Sequence, residues 1–143
     1  MTPTLFDPVP GTAWAHLPNA ALIDWVLADV RRRPEVWVAA WDAALDAAWA
    51  AARVAARAAA RDAARAAARA AAQVAARDAA RVAALDAAWD AAWDITLALI
   101  TWDDAQFVLD LSPDAFRLLL AVGEPRAVLL APLHHIIHQG MNP

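Results

Sequence analysis

The chain has no cysteine, no tyrosine and no lysine, and only 3 glycines among its 143 residues. Without cysteine it forms no disulfide and offers no thiolate nucleophile. Its 12 basic residues are all arginine. Only Gly123 falls between positions 12 and 139, so neither a glycine-rich phosphate loop nor a nucleophile elbow is present. Serine is scarce as well. We therefore expect no catalytic residue, no cofactor and no metal, and read the chain as non-enzymatic. No stretch of about 20 residues is apolar and uncharged, so no membrane span is expected. The opening MTPTLFDPVPGTAW lacks the basic region and apolar run of a secretory signal, and the expected location is the cytoplasm. The formal net charge of −4 argues against nucleic acid as the default partner.

What the chain does have is alanine. Hydrophobic residues make up 62% of it, and most of the excess over an ordinary domain is alanine, which buries little area. Four segments follow. Residues 1–18 hold Pro3, Pro8, Pro10, Gly11 and Pro18 and read as an irregular arm, whose Phe6 and Trp14 suit packing back onto a helix. Residues 19–33 read as a short helix from about 20 to 32, with Asn19 as N-cap and Pro34 as its end. Residues 34–100 contain no glycine and no proline after Pro34. Residues 101–143 form a small helical tail.

From Trp41 to Trp93 the chain repeats a four-residue unit, X-Y-Ala-Ala. The X slots hold Trp41, Leu45, Trp49, Arg53, Arg57, Arg61, Arg65, Arg69, Gln73, Arg77, Arg81, Leu85, Trp89 and Trp93. Alanine and arginine are strong helix formers. The expected fold is all-α: one long alanine-rich helix over about 35–100, a short N-terminal helix and a C-terminal bundle of short helices. Such a helix is on the order of 100 Å long. Each repeat overshoots a full turn by about 40°, so the X stripe winds around the helix and no heptad seam forms. The tract has apolar ends and a basic middle. Trp37, Trp41, Leu45 and Trp49 lie at one end, Leu85, Trp89 and Trp93 at the other, and these are the candidate partner-binding residues. The rest of the chain is too short to cover them, so the ends are expected to pair with another copy or another protein. Arg53, Arg57, Arg61, Arg65, Arg69, Arg77 and Arg81 form the middle. Together with Arg117 they are the candidate contacts for an anion or nucleic acid, against the plainer role of keeping an alanine helix solvated.

In the tail, Thr101 to Leu111 reads as a helix capped by Thr101. Ser112 and Pro113 start the next, which stops at Gly123, and Pro125 opens a last helix to about His138, kinked at Pro132. His134 and His138 are one turn apart, but no third ligand accompanies them. The segment Asp104-Ala-Gln-Phe-Val-Leu-Asp-Leu-Ser-Pro-Asp-Ala-Phe-Arg-Leu-Leu119 resembles the helix-turn-helix of excisionase-like and MerR-like DNA-binding proteins. Asp110 stands where that turn carries glycine, and Leu118, Leu119 and Leu120 replace the polar groups of a recognition helix. The plainer reading is a helical hairpin packed as core.

The whole pattern, with Ile100-Thr-Trp-Asp-Asp-Ala-Gln-Phe-Val-Leu-Asp-Leu-Ser-Pro-Asp-Ala-Phe-Arg as its more specific part, resembles alanine-rich proteins of bacteriophages and prophages in GC-rich bacteria. The resemblance implies a viral or mobile-element context and hence the host-cell cytoplasm. It assigns no residue roles. The favoured expectation is a non-catalytic helical protein–protein interaction protein, in that context an inhibitor of a host defence or nucleic-acid complex. Its partner would be a second copy or a host protein. The alternatives are a DNA-binding regulator acting through residues 104–119 and a self-assembling structural protein.

Overall fold

The computed structural model describes residues 9–44, 47–84 and 88–140. Among them are eight α-helices and one π-helical turn, with no strand. The helices are α1 (Ala20–Arg32), α2 (Pro34–Ala44), α3 (Ala47–Ala66), α4 (Ala70–Ala84), α5 (Trp89–Thr101), α6 (Ala105–Leu109), α7 (Pro113–Ala121) and α8 (Pro125–His135), followed by the π turn Ile136–Gly140. The all-α expectation holds. The single helix over 35–100 does not: that tract is divided among α2, α3, α4 and α5.

The period of the repeat explains the division. On α3 the buried alanines are Ala56, Ala60 and Ala64, and on α4 they include Ala72, Ala76, Ala80 and Ala84. All occupy the fourth slot of the unit. In one continuous helix this slot would rotate from core to solvent within a few repeats, at about 40° each. Breaking the helix resets the phase, so each piece keeps the same slot inside.

The break between α3 and α4 has a defined geometry. Arg69 N–H donates to Ala64 O at 2.7 Å and Ala68 N–H to Arg65 O at 3.0 Å, which is a Schellman motif with Ala68 in the left-handed position. Ala68 has φ +57°, where glycine is the usual residue. The left-handed conformation costs a non-glycine residue about 1–2 kcal/mol, and glycine gives back about 0.5–1 of that in chain entropy. Ala68→Gly should therefore stabilise the protein by roughly 0.5–1 kcal/mol, read as a higher urea midpoint. An unchanged or lower midpoint would show that the turn is unstrained.

The fold is centred on α5, whose residues Ala91 to Thr101 are all buried. Its sequence AAWDITLALIT is apolar nearly all round, the pattern of a helix enclosed on every side. It packs against α1, α2, α3, α4 and α8. Enclosure leaves its last carbonyls without water, so they need protein donors. Asn19 Nδ2 donates to Leu99 O at 3.0 Å and to Trp102 O at 2.8 Å. Arg69 Nη1 donates to Ile100 O at 2.9 Å and to Thr101 O at 3.1 Å. The Schellman turn delivers Arg69 to this place, where a cation also complements the helix dipole. Asn19 does stand at the N-cap of α1, but its side chain makes no cap bond there; it serves the end of α5 instead.

The corner between α1 and α2 is held by a buried acid. Asp29 accepts from Arg32, from Arg33 at 2.7 Å and from Trp37 Nε1 at 2.9 Å. Burial alone would raise its carboxyl pKa, but the hydrogen bonds from Arg33, Arg32 and Trp37 outweigh it and hold it below the ordinary value. The arm packs back as expected at Trp14, which is buried and donates to Asp24 at 2.8 Å; Phe6 lies outside the described residues.

The tail differs from expectation at its start. Thr101 is the last residue of α5 rather than a cap, with its hydroxyl donating to Leu97 O at 2.7 Å. The next helix, α6, begins at Ala105. Ser112 caps α7 through Ala115 N–H at 3.2 Å, Pro113 stands at N1 and Gly123, with φ +70°, ends the helix as read from the sequence. Pro132 lies inside α8, and the π turn follows.

Candidate functional site

The tryptophans expected on exposed ends lie inside. Trp37, Trp49 and Trp93 are buried, and Trp41 and Trp89 are half-buried against the core. Trp25 and Trp37 are 6.1 Å apart, Trp41 and Trp49 meet edge to face at 5.7 Å, and Trp89 stacks on Trp93 at 6.1 Å. Trp49 Nε1 donates to Val128 O at 3.0 Å, tying α3 to α8. The rings meet neighbouring helices and one another because the tract folds back on itself: Trp37 meets α1, Trp49 meets α8, and Trp89 and Trp93 meet α4. On the straight rod expected from the sequence they would have had no cover. Leu45 and Leu85 lie outside the described residues.

The arginines divide into two groups. Arg53 and Arg57 on α3 each reach Asp94 on α5 at 2.5 Å, and Asp90 lies 3.1 and 3.5 Å from them. Asp94 is 0% exposed. Burial pushes its carboxyl pKa up, with the charges of Arg57 and Arg53 pulling the other way. The Arg53 guanidinium also stands over the rings of Trp41 and Trp49, at 5.2 and 5.7 Å. Arg69 caps α5 and pairs with Asp103 at 2.8 Å. These three cations are engaged within the fold and are not offered to a polyanion. Arg61, Arg65, Arg77 and Arg81 are exposed. Arg65 lies 3.7 Å from Asp62, and Arg77 and Arg81 lie over Trp93 and Trp89 at 5.9 and 5.5 Å. The drifting stripe thus turns three of its seven arginines inward.

The surface that stands out is α7. Of its residues only Phe116 is buried. Leu118 is 71% exposed, and Val122, one turn on at the helix end, is 78% exposed. On α6, Ala105, Val108 and Leu109 are buried while Phe107 is 68% exposed. The hairpin expected to be packed as core is therefore core on one helix and surface on the other. The leucines that spoil α7 as a DNA reader were the signal for this face. Arg117, exposed, pairs with Asp114 at 3.0 Å.

Beside α7 runs a groove. One hollow, of about 620 Å³, is lined by Ala43, Ala48, Trp49, Leu120 and Val128 among others. A second, of about 210 Å³, is lined by Ala40, Phe116, His134, His135 and His138 among others. Ala43, Ala44, Arg117 and Leu120 line both, so the hollows adjoin. The chain matches no family model, and no curated protein or solved structure matches it. Among the described residues no helix is long and apolar enough to cross a membrane.

The groove's inner wall is a ring stack. His134 lies between Phe116, at 3.8 Å, and His138, at 4.0 Å. Its Nε2 is 2.8 Å from Leu111 O, and His138 Nε2 is 2.9 Å from Leu109 O. A carbonyl only accepts, so each Nε2 carries the proton. The stacked rings do not converge on one point as two ligands of one metal would. Burial lowers the His134 pKa below its ordinary value; the bond to Leu111 opposes this, and His138 and His135 add to it. The unfolded chain takes this proton near pH 6.5, and the folded chain only at lower pH. The stability His134 contributes is thus complete above about pH 6.5 and declines as pH falls from there to the folded value. Urea midpoints measured between pH 8 and pH 5 should fall on the acid side. His134→Phe, which keeps a ring on Phe116, should flatten that fall, and an equal slope in the variant would exclude His134 as its source.

Proposed function

We propose that the chain is a non-catalytic, all-helical protein–protein interaction protein whose contact surface is α7 and the groove beside it. The exposure of Leu118 on α7 and of Val122 one turn on at its C-cap, beside a helix with a single buried side chain, carries this reading. Apolar side chains set together on one exposed face favour removal from water against a partner. The tryptophan-ended helix that first suggested such a role does not support it, since those rings are spent on the core. The sequence resemblance to phage proteins directs the search for a foreign partner to host proteins, where binding would act as inhibition. Nucleic acid is the weaker alternative, because Arg53, Arg57 and Arg69 are bound within the fold.

The test is a Leu118→Asp/Val122→Asp double variant compared with the parent chain by light scattering after size exclusion and by affinity capture from host lysate. Both positions are exposed, so helicity and melting should change little. The parent should form a dimer or retain a defined protein, and the variant should lose that association. A variant that associates like the parent, or a parent that is monomeric and retains nothing, would overturn the reading.

A further inference from the structure

We propose that the groove between α7 and the facing parts of α2 and α3 receives an acidic amphipathic helix of a partner protein. This rests on the interaction reading and specifies what the partner presents. Four observations lead to it.

The first is shape. The two hollows share four lining residues and form one depression bounded by Trp49, Phe116, Leu120 and Val128. The second is its floor. Ala40, Ala43, Ala44 and Ala48 carry nothing beyond Cβ, so a partner backbone can come close while its larger side chains fill the hollows. The third is the backbone. Adding a peptide as a strand requires a free sheet edge, and the described residues contain no strand. With strand addition excluded, the alanine floor, which lets a helix backbone approach closely, favours the helix-in-groove mode.

The fourth is charge. The ionisable groups among the described lining residues are Arg117, His134, His135 and His138, with no carboxylate. That is unusual in a chain with 16 acidic residues and a net charge of −4. Asp114 neutralises Arg117 only from the outside, as an exposed pair at 3.0 Å with Asp114 at 92% exposure. A partner carboxylate at the groove rim can displace it at little cost. Another large hollow, about 600 Å³ between α1 and α4, sets Asp24 and Asp78 against Arg31, an excess of acid. The groove beside α7 has the opposite balance. Its apolar walls select an apolar stripe, and Arg117 at its rim selects an acid that flanks that stripe.

The experiment uses two synthetic helical peptides and the full chain. One peptide has leucine at i, i+3, i+4 and i+7 with alanine and glutamate elsewhere, and its twin has lysine for every glutamate. Binding is followed by fluorescence anisotropy of labelled peptide. The glutamate peptide should bind about tenfold tighter than the lysine peptide at low salt, and the gap should shrink at high salt. Non-specific attraction to an acidic protein predicts the opposite order, so the sign is diagnostic. Arg117→Glu should reverse the order without altering the melt, and Ala48→Trp, which fills the larger hollow, should weaken both peptides. Equal binding, preference for lysine, no binding, or an unchanged order in Arg117→Glu would overturn the proposal. If the peptides fail while Leu118→Asp/Val122→Asp still abolishes an association of the parent chain, the groove assignment falls and the α7 surface stands. If both fail, both fall.

Discussion

Asp94→Ala is expected to destabilise the protein by about 3 kcal/mol, the lower end of what breaking a buried ion pair costs. The carboxylate is fully buried on α5 and is the shared acceptor for Arg53 and Arg57. Removing it leaves two largely buried guanidiniums side by side on the face of α3 that meets α5. Asp90, half-exposed and 3.1–3.5 Å from both, offsets part of the loss, which is why the lower end applies. A loss of that size is a large fraction of a typical domain's total stability, so the urea transition should move to a much lower midpoint. The upward push of burial on Asp94 makes a second arm informative. If the cluster gains little over an apolar core, then Asp94→Leu with Arg53→Met and Arg57→Met should recover most of the stability lost by Asp94→Ala alone. A single variant as stable as the parent would remove the cluster from the core's architecture.

Trp49→Ala is expected to cost about 3–5 kcal/mol, the range for deleting a buried large aromatic. Trp49 contacts Trp41 edge to face, lies beneath the Arg53 guanidinium and donates to Val128 O on α8. On the rod-like helix expected from the sequence, the same substitution would abolish binding and leave helicity intact. In this fold it should lower helicity and the melting temperature first, because the ring joins α3 to α8. Trp49→Phe should lie between the two, keeping most of the packing and losing the N–H bond to Val128. An alanine variant with parental helicity and melt would return the tryptophan to the surface.

The local signals were legible and the long-range ones were not. The limits of α1, the Ser112-Pro113 start of α7 and its stop at Gly123 all rest on neighbours in sequence, and the structure has them. The turn at Ala68 carries no such signal, since alanine is the last residue expected to break a helix or to take a positive φ. What makes the break favourable is the burial gained when α4 and α5 fold back, a property of the whole tract. The partners Arg53 and Asp94 are 41 residues apart. Asn19 reads as the cap of its own helix for the same reason, because nothing near it in sequence announces the carbonyl of Leu99. In the candidate site the leucines of α7 were visible as out of place in a recognition helix, but their outward orientation depends on how α7 rests on α8. The groove beside them joins segments from α2, α3, α7 and α8, and no local pattern carries it.

The fourth-slot alanines that line the inner faces of α3 and α4 have a further consequence. A tract of identical units is self-similar under a shift of four residues, so alanine packing alone leaves several alignments nearly degenerate. Even the arginine clamp is tolerant, since a shifted α3 would still offer an arginine to Asp90 or Asp94. The degeneracy is broken by residues with a single possible counterpart: Trp49 on the carbonyl of Val128 and Arg69 on the open end of α5. These two work as index pins. Without them the chain would keep its helices and lose its register, becoming a family of compact folds offset by one unit from each other.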